Sequence, residues 1–293
     1  MRPSLRPSLR LGGREFAPGA FAVMAIVNRT PDSFYDRGAT YARDAALERV
    51  DEVVDDGAEL VDIGGVRAGH GAEVSVAEEL RRTADFVAEV RARHPGLVIS
   101  VDTWRSAVAR VVCQEGADLL NDTWAGADPK VAAVAAEFGV GLVCSHTGGL
   151  GPRTDPHRVG YDDVVAEVAT ATVALASRAV SLGVRRDGVL IDPTHDFGKN
   201  TRHSLELTRR LDELVATGWP VLVALSNKDF IGETLDLPAQ ARLPGTLAAT
   251  AVSAWHGARV FRAHQVAETR QVLDMVASIR GTRQPSVNRR GLA

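Results

Sequence analysis

The chain has 293 residues, enough for one large domain or two small ones, with the hydrophobic and charged fractions of ordinary globular material. A formal net charge of -3 excludes a broad attraction to nucleic acid or to an anionic membrane surface, so an anionic ligand must be recognised locally and the expected partner is a small molecule. Two cysteines, Cys113 and Cys144, lie in apolar segments without metal-ligand spacing, which reads as buried reduced thiols and points to the cytoplasm.

The opening MRPSLRPSLRLGG is arginine-rich and repeats PSLR, with no apolar segment following it. Nowhere do about 18 apolar residues run together, so neither a secretion signal nor a membrane span is expected. Residues 1–19 are expected to form a flexible arm, residues 20–280 one domain, and residues 281–293 a flexible tail.

From Phe21 onward one pattern recurs: a short apolar run, a polar residue at its end, a loop, an amphipathic stretch and a glycine return. The runs are FAVMAIV, ELVDI, LVISV, DLL, GLVCS, GVLI, PVLVAL and ARVF. Continuous Val, Ile and Leu without alternation is what strands buried on both faces of a parallel sheet require. Between them, spacings such as Leu47, Val50 and Val54, or Leu80, Ala84, Val87 and Val90, are helical. Asp128 and Pro129 are expected to supply an N-cap and a first-turn proline to the helix carrying Val131, Val134 and Phe138. Gly57, Gly96, Gly116, Gly139, Gly183, Gly218 and Gly257 fit left-handed helix ends.

Eight such units imply an α/β fold, a single-domain (β/α)8 TIM barrel of about 250 residues. A doubly wound open sheet is the alternative, less favoured because no GxGxxG follows the first strand. The long strand-to-helix connections share one face, where the working site of a barrel lies. The strand ends there offer Asn28, Asp62, Asp102, Asn121, Ser145 with His146, Asp192, Ser226 through Lys228, and Arg262 with His264. Carboxylates and amides suit a flat heterocycle with several N–H groups, whereas Arg262, His264 and Asn28 suit phosphate oxygens. Lys228 is open to three readings: donation to a ligand, a Schiff base, or an ion pair with Asp192. Its polar surroundings beyond the strand favour donation.

The segments MAIVNRTPDSFYDRG, DIGG, SVDT, LLNDTWAG, SHTGG, DPTHDFGKN, SNKDFIGETL and RAHQV, in this order and over about Phe21 to Ile279, resemble the dihydropteroate synthases of folate synthesis. The resemblance implies a barrel in which a 7,8-dihydropterin methyl diphosphate loses diphosphate to the amine of 4-aminobenzoate. It would give Asp102, Asn121, Asp192 and Lys228 to the pterin ring. Asn28, Arg262, His264 and Arg67 would go to the diphosphate, with Mg²⁺ near Asn28. Asp36, Asp192 and Lys228 would be catalytic, and Phe34, Arg67, Asn227 and Asp229 would form the second-substrate subsite. A homodimer through flanking helices is expected too.

Three segments depart from that family's pattern. GGVRAGHG stands where it reads GGESTRPG, SNKD where it reads SRKS, and Thr194, His195 and Asp196 fill the glycine-rich DPGFGFGK segment. Asp229 thus falls where a donor to the aminobenzoate carboxylate is expected. Two like charges about 4 Å apart at an effective dielectric near 20 repel by about 4 kcal/mol. If Asp229 points inward and ionised, activity with 4-aminobenzoate is expected to be weak or absent. The alternatives are a different arylamine, or a catalytically inactive paralogue acting as a pterin-binding or partner protein. A pterin-handling methyltransferase barrel ranks last, since it shares neither TPDSF nor SNKDFIG.

Overall fold

The computed structural model describes residues 8–31, 40–69, 71–154 and 160–291. A short pair, β1 (Leu9–Leu11) and β2 (Arg14–Phe16), precedes eight strands that coincide with the eight apolar runs: β3 (Ala22–Asn28), β4 (Leu60–Gly64), β5 (Val98–Asp102), β6 (Leu119–Asp122), β7 (Gly141–Ser145), β8 (Val189–Asp192), β9 (Leu222–Ala224) and β10 (Val260–Ala263). These eight pair in parallel in the order β8-β7-β6-β5-β4-β3-β10-β9. The Ile191 N–H donates to Pro220 O at 2.9 Å, beside a parallel bridge from Ile191 to Val221, and so joins β8 to β9. The sheet is therefore a ring with the helices outside it, the (β/α)8 barrel expected from the strand count, and not an open sheet.

Side chains alternate between two apolar cores. Val23, Ala25, Val61, Ile63, Ile99, Val101, Leu120 and Ile191 face the helices, whereas Met24, Leu60, Val98, Leu119, Val143, Leu190, Leu222 and Val260 fill the ring. Period two along each strand makes this division, and it aims every second residue at the barrel axis.

Residues 9–16 depart from the expected flexible arm. Leu9, Leu11 and Phe16 are buried with the inward-facing barrel residues, so the β1–β2 hairpin plugs one end of the ring. It fits closely: a Cβ on Gly141 would lie 2.7 Å from Gly188 O and 2.8 Å from a Leu11 methyl, so no larger residue is accommodated. Arg259 fastens the hairpin's exit by donating to Ala17 O and Ala20 O. Residues 281–291, by contrast, contain no helix or strand and are exposed.

Two local expectations are corrected. The helix after β6 is Val131–Phe138, and Asp128 lies one turn too early to cap it; its carboxylate accepts from Ser106 N at 2.8 Å and Lys130 N at 3.0 Å instead. Of the seven glycines, all but Gly96 have positive φ. The helix Val76–Arg93 stops before Pro95, whose ring disfavours helical backbone at His94 and makes a glycine cap unnecessary. Among the described residues, one helix, Val164–Ser181, is long and apolar enough to cross a membrane, but it packs against β7 and β8 through Val164, Val165, Val168 and Ala176.

Candidate active site at the open mouth of the barrel

Two residues beyond the apolar lining, five of the eight barrel strands place a polar side chain on the axis. Leu60 is followed by Asp62, Val98 by Ser100 and Asp102, Leu119 by Asn121, Leu190 by Asp192, and Val260 by Arg262. Period two thus carries the barrel interior from apolar to polar within one pleat. Above this layer lies a cavity of about 320 Å³, lined by Asn28, Arg67, Asp102, Asn121, Asp192, Lys228, Asp229, Arg262 and His264 among others. Eight of the site residues named from sequence thereby meet in one place, with Asp229 at the rim.

Asp62, to which the sequence reading assigned no role in the site, organises its floor. Its carboxylate, with no exposed surface, accepts from Ser100 Oγ at 2.6 Å, Asn121 Nδ2 at 3.0 Å and Arg262 Nε at 2.6 Å. Arg262 Nη2 lies 3.7 Å from Asp102. Burial works to lower the Arg262 pKa, but the Asp62 and Asp102 carboxylates outweigh it and raise it. Burial, reinforced by the Asp62 charge, pushes Asp102 up to about 7 although Thr123 Oγ1 donates to it at 3.0 Å.

On the other wall, Asp192 accepts from Thr194 N at 2.7 Å, and burial raises its pKa against the opposing pull of Lys228. Lys228 Nζ donates to His195 O at 2.6 Å and lies 5.1 Å from the centre of the Phe197 ring. Burial lowers its pKa while Asp196 and Asp192 oppose the shift. Trp124 and Phe197 meet edge to face at 5.5 Å and give the cavity an aromatic side. His264 pairs through Nδ1 with Ser226 Oγ at 2.9 Å; burial, with the Arg262 and Arg49 charges, pushes its pKa down to about 3.

Several expected residues lie elsewhere. Asn227 does not line the cavity: it is buried, with Nδ2 donating to Gln265 Oε1 at 3.2 Å and its backbone N–H to Thr246 Oγ1. Ser145, level with Asp192 in the register of β7 and β8, and His146 are buried and do not line the cavity. Phe34 and Asp36 lie outside the described residues. Asp229 is not an inward-pointing, uncompensated charge: its side chain is 66% exposed and pairs with Arg242 at 2.7 Å. The carboxylate that does press on this loop belongs to Asp196, whose Oδ2 accepts from Asp229 N at 2.7 Å and Phe230 N at 3.2 Å. Burial raises the Asp196 pKa, and Lys228 opposes it.

Among the described residues no cluster of three His, Cys, Asp or Glu side chains could hold a metal ion. His203 instead completes a capping box with Asn200 at the start of the helix Thr201–Arg209. The Asn28 amide oxygen, over Gly64 at the cavity edge, is a hard neutral donor of the kind magnesium accepts when a substrate phosphate supplies most of the remaining ligands.

Comparison with known proteins agrees with this geometry. The family described as pterin binding enzyme matches residues 24–264. The chain is 57% identical over 287 residues to a protein of Mycobacterium leprae named inactive dihydropteroate synthase 2, covering 97% of this chain and 99% of that one. It is 36% identical to the dihydropteroate synthase of Bacillus subtilis, covering 87% of each. A crystal structure of the Yersinia pestis dihydropteroate synthase with a sulfonamide drug superposes with a TM-score of 0.89 at 33% identity, covering 94% of this chain and all of that one. The chain belongs to the pterin-binding enzymes and, within them, to the dihydropteroate synthase family.

Proposed function

We propose that this member of the dihydropteroate synthase family binds a 7,8-dihydropterin methyl diphosphate at the barrel mouth, and that transfer of the pterin methylene to 4-aminobenzoate is weak or absent. The observation that carries the reading is the convergence of Asp102, Asn121, Asp192 and Lys228, from four different strands or their loops, on one cavity floored by Asp62. Asp102 and Asp192 would accept from the ring N–H groups and Asn121 would read both donor and acceptor edges. Lys228 would turn from the His195 carbonyl to donate to a ring acceptor. Arg262, Arg67 and His264 would take the diphosphate oxygens.

Asn28 would contribute one oxygen to Mg²⁺ carried on the diphosphate, where the ion would offset charge building on the leaving group. Asp192, with Asp36 as its expected partner, would stabilise positive charge on the pterin methylene as the diphosphate leaves. The weak second half rests on the rebuilt GGVRAGHG loop and on the lack of a hydroxyl donor at Asp229, whose carboxylate is turned to Arg242, and the name of the 57% identical relative agrees with it. Two buried free cysteines suit a cytoplasmic setting. The exposed apolar side chains of the last two helices would pair with a second copy of the chain.

Titration calorimetry with the pterin diphosphate and Mg²⁺ tests this reading. Wild-type protein is expected to bind, and Lys228→Ala and Asp192→Asn are each expected to weaken binding by about 100-fold or more, since each leaves a buried partner uncompensated. Undiminished binding in both variants would refute the site. Turnover of 4-aminobenzoate at ordinary synthase rates would refute the second half.

A further inference from the structure

Resting on the reading that the pterin occupies the cavity, we propose that Asp196 is a built-in carboxylate that closes the second-substrate side of the mouth to amines with an anionic tail. The site then selects an amine whose tail is uncharged. At the rim formed by Asp196, Phe197, Lys228 and Asp229, the described donors nearest a ligand carboxylate are engaged by the chain itself. The N–H groups of Asp229 and Phe230 both donate to Asp196 Oδ2, at 2.7 and 3.2 Å. Arg242, only 13% exposed, donates to Asp229 Oδ1 at 2.7 Å and to the carbonyls of Asn227 and Leu237. Lys228 Nζ is held by His195 O, and on the proposed reading it turns to the pterin ring, not to the amine's tail.

Asp196 is held in this posture at some cost. Its φ is +71°, a region an L residue enters reluctantly, yet Ser204 Oγ holds both its N–H and its Oδ1. An incoming carboxylate must therefore displace one already seated on two amides, or approach with those amides taken and the Asp196 carboxylate beside it. A neutral polar tail meets neither obstacle.

The test compares 4-aminobenzoate with its uncharged analogue 4-aminobenzamide, each titrated into protein already loaded with pterin diphosphate and Mg²⁺. Wild-type protein is expected to favour the amide by about tenfold or more. Asp196→Gly, which suits the positive φ and frees both amides, is expected to raise carboxylate affinity by about tenfold or more and reverse the preference. Asp196→Asn keeps an acceptor but drops the charge and should fall between. Wild-type preference for 4-aminobenzoate overturns the inference, as does an unchanged ratio in both variants or binding of neither amine to any of the three proteins. The pterin titration is run first in the same cell. Its failure in wild type overturns the underlying reading and this inference with it, whereas intact pterin binding with an unmoved ratio overturns the inference alone.

Discussion

Burial and the neighbouring Asp62 carboxylate both disfavour a second negative charge on the barrel axis and push the Asp102 pKa up to about 7. The sign of the consequence is fixed. An unfolded Asp102 ionises near 3.8 and the folded one near about 7, so between those values the folded chain binds more protons and its stability falls as pH rises. Over that window the loss is at most on the order of 4 kcal/mol. Urea unfolding at about pH 5 and about pH 8 is therefore expected to show wild type losing stability relative to Asp102→Asn, in which the step is absent. Equal pH dependence in the two proteins would show that Asp102 is ionised throughout. If ionised Asp102 accepts ring N–H groups, pterin affinity should also rise through about pH 7, and the Asn variant should lose that rise.

At the scale of the element, the loop from Pro193 to Gly198 shows what the sequence made legible and what it did not. The strand ends were readable because the apolar runs are short and period two places Asp102, Asn121, Asp192 and Arg262 on the same face as the last inward apolar residue. The hairpin was missed although LRLGGREF carries a signal: alternating residues on either side of a Gly-Gly turn, which the repeated PSLR masked as an arm. The roles of Asp196 and Asp229 were not legible, because their partners lie 33 and 13 residues away and only the folded loops bring them together. Thr194 at φ +53° and Asp196 at +71° show that this loop keeps a glycine-like backbone without glycine.

Something must hold that backbone, and Lys199 does. Its buried Nζ donates to His146 O at 2.8 Å, Phe197 O at 2.9 Å and Thr194 O at 3.2 Å, tying the loop after β8 to the end of β7. Lys199→Met is expected to destabilise the protein by about 2–4 kcal/mol, since three carbonyls lose their shared donor. It should also weaken pterin binding, because Thr194 N positions the Asp192 carboxylate. A variant with an unshifted urea midpoint and full pterin affinity would show that the loop holds itself.

Across the whole molecule, the barrel directs each kind of surface to a different end. The hairpin seals one mouth, the cavity opens the other, and the helices sheathe the sides. On that sheath, the packed helices Leu243–His256 and Val266–Ile279 leave Val252, Trp255, Met275 and Ile279 between 43% and 61% exposed. These residues face outward and do little for the core, and under the proposed pairing a second copy of the chain would cover them. For a second copy related by a two-fold axis, the same face serves both subunits. Replacing Trp255 and Met275 together by glutamate puts like charges on both sides of that contact. The double variant is expected to unfold within about 0.5 kcal/mol of wild type per site. Light scattering should show it moving from dimer to monomer mass. A wild-type chain that already scatters as a monomer at micromolar concentration would leave this face without its proposed partner.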